Sequence, residues 1–313
     1  MLIKAPANSF EMAKAVIEAG ADELYVGLPS TQMENITLSG RGNKTLNGKN
    51  FQVNDEAELK EIVKIAKEKN KRVDFTLNNP FFVSEQAEEL LVKQIEQAVD
   101  AGVDAFIVAD LYVAHLVKKI APDIKLCASS FFDVYNRANI DFLRDEGFDR
   151  VVLAYDLHKE ELNSLCQNKE IEYEVFGHFG CSLKLGPCML LHGSGENLKL
   201  GLPCRNMYCV ETKKGGSEEP LIDSAKDCSI CSMDYLIKCN VDVIKIIGRG
   251  KNISFIASLV YVYRRVIDEL KAGKEIHEIR KEILESVPWW KEVFCNCNRC
   301  KYKRADENKY LIV

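Results

Sequence analysis

Hydrophobic and polar positions follow two alternating patterns along this chain. Short apolar runs, rich in Val, Ile, Leu and aromatic residues, are separated by longer stretches in which apolar residues recur at helical spacing. Because the short runs are apolar at consecutive positions, they are typical of strands buried on both faces of a parallel sheet. They predict eight strands, at residues 2–6, 23–28, 72–78, 105–109, 124–129, 150–155, 172–177 and 241–247.

A short motif precedes four of these strands. It consists of Gly or Asn, then an apolar residue, then Asp, and it occurs at residues 20–22, 102–104, 147–149 and 240–242. Gly or Asn at this position adopts the left-handed conformation that ends a helix, so each motif marks a helix-to-strand turn. The alternation of strands and helices predicts a TIM-type (β/α)8 barrel, with an open doubly wound sheet as the alternative.

Two segments interrupt this alternation. Residues 29–53 form a polar loop after the second predicted strand, and residues 178–235 form a cysteine-rich insertion after the seventh. Both follow the carboxyl end of a strand, which is the end where such barrels carry their active sites. We therefore divide the chain into a barrel, residues 1–275 with the insertion included, and a helical, cysteine-containing tail, residues 276–313.

Composition restricts the class of protein. The chain is 47% apolar and 28% charged with a net charge of −5, which is typical of a soluble globular protein without a general attraction for nucleic acid. The first residues lack the apolar region of a secretory signal, and the longest apolar run, residues 253–263, is too short to span a bilayer. We expect a cytoplasmic protein without membrane contact, in which thiols stay reduced.

The cysteines carry the strongest chemical signal. Ten of the twelve follow residue 180, and reduced cysteines in such a group indicate metal binding rather than disulfides. Cys181, Cys188, Cys204 and Cys228 suit a [4Fe–4S] cluster, in which each iron takes one thiolate. Zinc bound by the same thiolates, or unligated thiols, are the alternatives. Two neighbouring cysteines could replace Cys204 or Cys228 as ligands, namely Cys209 and Cys231.

The tail contains a second group of thiols. Cys295, Cys297 and Cys300 lie within six residues of one another, close enough to chelate one ion. With a fourth thiol they could bind a second metal, and the candidates for it are Cys209, Cys231 and Cys239. The alternative is a tail whose thiols have a structural or redox role only.

Polar residues at predicted strand ends are further candidates. His178, just before the first cysteine of the insertion, is a candidate catalytic proton donor, a hydrogen-bond partner of a cluster sulfur, or a strand-end residue. Arg249 follows the last strand at the start of a helix, where backbone N–H groups favour anions, and it could clamp an anionic substrate. Three further polar residues are at or near predicted strand ends: Arg41, Asn78 and Ser129. They could bind substrate at the same carboxyl end of the barrel, which we call its mouth, or they could stabilise loops.

Several of these motifs together resemble peptidase family U32, whose members are called collagenase-like peptidases. The resemblance lies in His178, the six residues between Cys181 and Cys188, the pair Cys204-Arg205, Cys228, and the sequence KIIGR at residues 245–249. The family has an acid where this chain has Ile247. Further similar segments in the N-terminal half are KAPAN at 4–8, LYVG at 24–27, Arg41 with residues 50–51, TLN at 76–78 and ASS at 128–130.

The resemblance implies a barrel that carries an iron–sulfur cluster. It further implies oxygen-independent, hydroxylation-type modification of an RNA base or an aromatic small molecule, with an anionic substrate oriented by Arg249, Arg41 and Asn78. One alternative is a U32-type peptidase, although the sequence lacks the usual protease motifs. Another is a non-catalytic metal-binding scaffold. In either case a homologous U32 partner or a second copy of the chain is an expected partner.

Overall fold

A computed structural model describes residues 1–30, 52–78, 85–167, 169–179, 207–212, 215–219, 227–295 and 300–303. Within this part of the chain, eight parallel strands close into a barrel, which confirms the TIM-type prediction and excludes the open sheet. In their order around the barrel, the strands are β1 (Leu2–Pro6), β10 (Val243–Lys245), β7 (Glu172–Phe176), β6 (Arg150–Val152), β5 (Lys125–Ala128), β4 (Ala105–Val108), β3 (Arg72–Leu77) and β2 (Glu23–Val26).

Helices connect the strands and pack outside the barrel. In chain order they are α1 (Phe10–Glu18), α2 (Glu56–Glu68), α3 (Glu85–Ala101), α4 (Leu111–Ile120), α5 (Arg137–Asp145), α6 (Lys159–Leu165), α7 (Met233–Lys238), α8 (Ile253–Lys271) and α9 (Ile276–Ser286). Several begin at a side-chain cap, as α1 does at Ser9 and α2 at Asp55. A separate antiparallel hairpin, β8 (Tyr208–Thr212) and β9 (Gly215–Glu219), lies within the cysteine-rich insertion.

The repeated Gly-x-Asp or Asn-x-Asp motif has one structural role at all four sites. Its first residue has a positive φ, between 63° at Asn240 and 105° at Gly20, and so ends the helix in the left-handed conformation. Its Asp then accepts a backbone N–H from the neighbouring strand. Asp22 accepts from Ile3, and Asp104 accepts from Val73, at 2.9 and 2.8 Å. Asp149 and Asp242 make the same bond, to Leu126 and Tyr173.

The C-terminal tail packs against the barrel. After α9, a short helix (Pro288–Trp290) and a wide helical turn (Lys291–Cys295) bring Trp290 and Phe294 into the main hydrophobic core, which Tyr302 also joins. Tyr302 has a φ of 67° and its hydroxyl donates to the carbonyl of Phe176 at 2.6 Å. No helix among the described residues is both long enough and apolar enough to cross a membrane.

Charged side chains fill the amino-terminal half of the barrel interior. Lys4 Nζ lies 2.6 Å from a carboxylate oxygen of both Asp74 and Glu174, while Arg150 holds Glu23 with two bonds of 2.5 and 2.8 Å. Burial by itself would raise the pKa of Glu23, but Lys4 and Arg150 outweigh it and lower that pKa. With Lys245, 2.8 Å from Glu174, the group contains three cations and three carboxylates and is electrically balanced. We call these six residues the barrel ion network.

Candidate functional site

Above the barrel ion network, toward the carboxyl ends of the strands, the interior becomes apolar. The side chains of this layer are Tyr25, Ile107, Cys127, Val152, Phe176 and Ile247, with Tyr155 above them. Tyr25 is 3% exposed, and its hydroxyl has no hydrogen-bond partner in the described part of the chain. A buried hydroxyl without a partner is costly, so Tyr25 is a candidate for contact with a bound molecule. Ile247, which is 7% exposed, belongs to this layer and contributes to its apolar character.

Two cations flank the Tyr25 ring. Lys245 Nζ lies 4.9 Å and Arg249 Cζ 5.7 Å from the ring centroid, within the range of cation–π attraction. Lys245 belongs to the barrel ion network through Glu174. Arg249 and the Tyr25 hydroxyl therefore lie together at the carboxyl end of the barrel, beside Lys245, whose charge is balanced by Glu174. A guanidinium and a phenol hydroxyl in this arrangement can contact an anion or a polar ring.

Arg249 is held in position by separate segments. It is 2% exposed, its Nη1 donates to Gln52 Oε1 at 2.8 Å, and its carbonyl accepts from Asn8 Nδ2 at 2.6 Å. Gln52 can approach because residue 27 is glycine, since a Cβ there would lie 2.3 Å from Gln52 Oε1. The structure thus places Arg249 where the sequence predicted an anion clamp, directly before α8.

His178 lies at the same end of the barrel but is fully buried. Its Nε2 donates to the carbonyl of Ile247 at 3.1 Å, and its ring packs against Phe179, Phe294 and Tyr263. Burial lowers its pKa to about 3, so the ring is neutral at physiological pH. Nδ1 then carries a lone pair, and it has no partner among the described residues. In this position His178 can accept a hydrogen bond, while its N–H joins the ends of β7 and β10.

The other predicted substrate-binding residues differ in their placement. Ser129 is buried after β5, and its Oγ accepts the backbone N–H of Phe131 at 3.3 Å, so it stabilises the turn that follows the strand. Asn78 follows β3 directly and is half-buried. Arg41 lies outside the described residues. The structure therefore brings Arg249, Ser129 and His178 to one end of the barrel, and their predicted roles in substrate binding and catalysis remain predictions.

The described cysteines separate into different environments. Of the predicted cluster ligands, Cys181, Cys188 and Cys204 lie outside the described residues, as does Cys297 of the tail. Cys228 is 5% exposed and pairs with His178 in an isolated β-bridge. Cys239 is buried beside Asn163, and Cys209 is exposed in the β8–β9 hairpin.

The tail covers part of the mouth, which the sequence did not predict. Lys301 is 2% exposed; its Nζ donates to the carbonyl of Tyr155 at 3.1 Å and lies 3.0 Å from the centroid of the Tyr155 ring. The Tyr155 hydroxyl donates to Asp227 at 2.9 Å. Tyr155, Asp227 and Lys301 are far apart in the sequence. The one sequence feature that could have indicated this contact is the pair Lys301-Tyr302, directly after Cys300.

The fold and the site define an α/β barrel with a tyrosine and two cations at its carboxyl mouth and, in the sequence, a cysteine-rich segment after β7. Comparison with known families gives the same class. The sequence matches the family described as Peptidase family U32 over residues 8–297, and the chain belongs to this family.

Several curated proteins are similar to this chain. It is 28% identical to "tRNA hydroxylation protein P1" of Bacillus subtilis (strain 168), over 90% of this chain and 67% of that protein. It is 26% identical to "23S rRNA 5-hydroxycytidine C2501 synthase" of Escherichia coli (strain K12), over 85% of this chain and 39% of that protein. It is also 26% identical to "Collagenase" of Porphyromonas gingivalis (strain ATCC BAA-308 / W83), over 85% of this chain and 65% of that protein. The chain thus spans two thirds or less of these relatives' length.

A solved U32 peptidase structure has the same fold. It covers 80% of this chain and 94% of its own, with a TM-score of 0.51 and 14% sequence identity. At this identity the similarity supports the barrel architecture alone.

Proposed function

We propose that this protein takes part in the hydroxylation-type modification of an RNA base. The observation that carries this proposal is the grouping of Arg249 and Lys245 around Tyr25, whose buried hydroxyl has no hydrogen-bond partner among the described residues. The chain's relatives include proteins named for tRNA hydroxylation and for 5-hydroxycytidine synthesis in rRNA. An aromatic small molecule that carries carboxylates is the second substrate class compatible with the same side chains.

The proposed roles follow from the geometry of the mouth. Arg249, fixed by Gln52 and Asn8, orients a phosphate or carboxylate through its guanidinium. The Tyr25 hydroxyl donates to a polar atom of the substrate ring, and Lys245, held by Glu174, keeps the Tyr25 ring in place through a cation–π contact. The apolar layer and the tail residues Lys301 and Tyr302 exclude water from the mouth, which strengthens these electrostatic contacts.

An iron–sulfur cluster is the cofactor that we propose for this reaction. Two observations support this cofactor: the number of thiols in the cysteine-rich segment, and the start of that segment after Phe179, whose backbone N–H donates to the carbonyl of Asp227 beside the mouth at 2.9 Å. Cys181, Cys188, Cys204 and Cys228 would supply the four thiolates. When bound, the cluster would supply one-electron transfer. If water provides the oxygen, conversion of a ring C–H to C–OH releases two protons and two electrons, and the electrons would pass through the cluster to an external electron acceptor.

The test is analysis of RNA from cells with and without this protein. Anaerobically grown cells that lack the gene are complemented with the wild type, Arg249→Gln or Tyr25→Phe, and nucleosides are examined by mass spectrometry for the gain of one oxygen. We expect the modified nucleoside with the wild type and a loss of at least about tenfold with either variant, since each removes a contact to the reacting molecule. Lys60→Gln, at an exposed surface ion pair, is the matched control.

Two results would contradict the proposal. One is unchanged nucleoside composition in all strains together with gelatin hydrolysis by the purified protein, which would favour the peptidase alternative. The other is unchanged nucleosides and no detectable activity, with the protein stably bound to a second U32 chain, which would favour the scaffold.

A further inference from the structure

A second buried hydroxyl without a partner lies in the barrel, on the strand next to Tyr25. It belongs to Thr76 on β3. The Thr76 Oγ1 is inaccessible to solvent and, like the Tyr25 hydroxyl, makes no hydrogen bond within the part of the chain that the structure describes. A buried hydroxyl left unpaired costs free energy, and native proteins contain few of them. Two such groups on neighbouring strands therefore indicate a role other than packing.

The register of the sheet shows that Thr76 points into the barrel. Asp74, two residues earlier on β3, is inside because it pairs with Lys4 in the barrel ion network, and side chains two residues apart in a strand share a face. Thr76 is also the registered partner of Ile107 on β4, which belongs to the apolar layer of the interior. From the rise of a strand, Thr76 is about 7 Å closer to the mouth than Asp74.

The polar groups of the mouth are concentrated at β2 and β3. Tyr25 lies on β2 and Thr76 on β3, and the two strands pair directly in the sheet. Gly27, two residues after Tyr25 on β2, has no side chain, and Gln52 occupies the space beside it. Gln52 in turn accepts from Arg249. Both hydroxyls, and the amide that holds the arginine, are therefore grouped at one side of the barrel.

The opposite side of the same layer is apolar. Around the closed barrel, β6 is four strands away from β2, and β7 is four strands away from β3. These two strands contribute Val152 and Phe176 to the layer, and the two side chains are 0% and 6% exposed. A molecule bound in the mouth would therefore meet hydroxyls at one side and hydrocarbon at the other.

A nucleobase has a matching asymmetry. Its ring nitrogens and exocyclic groups lie along one edge, and enzymes that hold an extruded base bind this edge by hydrogen bonds and pack the ring on apolar side chains. A carbocyclic aromatic acid carries its polar atoms outside the ring, where Arg249 could bind them but two hydroxyls facing the ring would stay unpaired. The pair formed by Tyr25 and Thr76 thus favours a base over such an acid.

We propose that Thr76 is a substrate-binding residue, which together with Tyr25 holds the polar edge of a nucleobase against the β2–β3 side of the mouth. This inference rests on the proposed function and adds to it the orientation of the base. In a pyrimidine held in this way, the ring C–H groups are directed away from the hydroxyls, toward Val152 and Phe176.

The test compares Thr76→Val, which removes the hydroxyl and keeps the shape of the side chain, with Thr76→Ser, which keeps the hydroxyl. The full-length proteins are titrated with cytidine 5′-monophosphate and with uridine 5′-monophosphate in ligand-observed NMR. For the nucleotide that the wild type binds, we expect a Kd at least about tenfold higher with Thr76→Val and within about threefold of the wild type with Thr76→Ser. Ser258→Ala, which removes a surface hydroxyl on α8, is the matched control and should bind like the wild type.

Stability separates this role from a structural one. Because the Thr76 hydroxyl has no partner among the described residues, its removal should leave the urea midpoint of the ligand-free protein unchanged or raise it, although binding is weakened. In the complemented cells described above, Thr76→Val should lower the yield of modified nucleoside by at least about tenfold, and Thr76→Ser should keep most of it.

Three results would overturn this assignment. The first is a nucleotide affinity or a yield of modified nucleoside that is equal in Thr76→Val and the wild type. The second is a urea midpoint that falls in Thr76→Val together with binding, which would show a structural hydroxyl. The third is a wild type that binds neither nucleotide. Failure of the proposed function alone looks different: no strain gains the modified nucleoside, although the wild type binds a nucleotide and Thr76→Val does not.

Discussion

At the scale of single residues, burial decides what a side chain can do. His178 was a candidate proton donor by its position before Cys181. In the structure its ring is surrounded by aromatic side chains and its Nε2–H is bonded to the carbonyl of Ile247. With a pKa of about 3, the residue is a neutral hydrogen-bonding group near pH 7, which argues for positioning rather than proton donation.

His178 should make the protein less stable in mild acid. Its pKa is lower in the folded state than in the unfolded state, so the unfolded chain binds one more proton as the pH falls below the unfolded value. Between about pH 7.5 and about pH 5 this costs about 2 kcal/mol of unfolding free energy. Urea unfolding at both pH values measures the loss. His178→Gln, which keeps a donor for the Ile247 carbonyl but does not titrate, should lose about 2 kcal/mol less over the same interval. An equal loss in the two proteins would contradict this prediction.

At the scale of secondary-structure elements, the repeated motif explains how successive βα units join. The positive φ of Gly102 ends α3, and the Asp104 carboxylate then accepts the backbone N–H of Val73, the second residue of β3. The Asp thus satisfies a strand-end donor that would otherwise depend on water. This is why one three-residue pattern recurs where a helix turns back into the barrel.

Asp104→Ala should destabilise the barrel. The substitution leaves the backbone N–H of Val73, at a strand that is buried in the sheet, without its acceptor, and we expect a loss of about 1–2 kcal/mol in unfolding free energy. Chemical denaturation measures it. Asp100, four residues before Asp104, is an exposed partner of Lys60. Asp100→Ala is therefore the control, and it should change the free energy of unfolding by less than about 0.5 kcal/mol. Equal effects of the two substitutions would show that the strand-end bond is unimportant.

At the scale of the whole molecule, the barrel ion network joins strands that are distant in the sequence. Lys4 on β1 contacts carboxylates on β3 and β7, and Arg150 on β6 binds Glu23 on β2. Buried charges of this kind are stable only as a complete, balanced set. The network also holds Lys245 in position through Glu174, and Lys245 in turn contacts the Tyr25 ring at the mouth of the barrel.

Lys4→Met should therefore be strongly destabilising. It leaves three buried carboxylates opposite two cations, and the expected cost is about 3–5 kcal/mol, measured by equilibrium unfolding in urea. Lys60→Met, at a surface pair with Glu56 and Asp100, is the matched control with an expected effect below about 1 kcal/mol. A variant at position 4 that is as stable as this control would show that the network contributes little to the fold.

The sequence was informative where the signal is local. Apolar runs placed every barrel strand, and the motif with Gly20 or Asn240 marked the turns, because strand burial and left-handed backbone are encoded by neighbouring residues. It was uninformative about Lys4, Glu174 and Arg150, whose charged side chains give no local sign that they lie inside a barrel. Tyr25 was likewise missed, because an aromatic residue in a strand usually indicates core packing alone.

The candidate site shows the same division. Arg249 could be proposed from its place between a strand and a helix start, and the cysteines from their number; their roles remain predictions. The sequence by itself determined the barrel, the helix-to-strand turns and the large number of cysteines, since these depend on local pattern and composition. Only the tertiary structure decided which distant residues meet: it brought Arg249 to Tyr25 and Gln52, and the tail to the mouth, because closure of the barrel fixes where each connecting segment must lie.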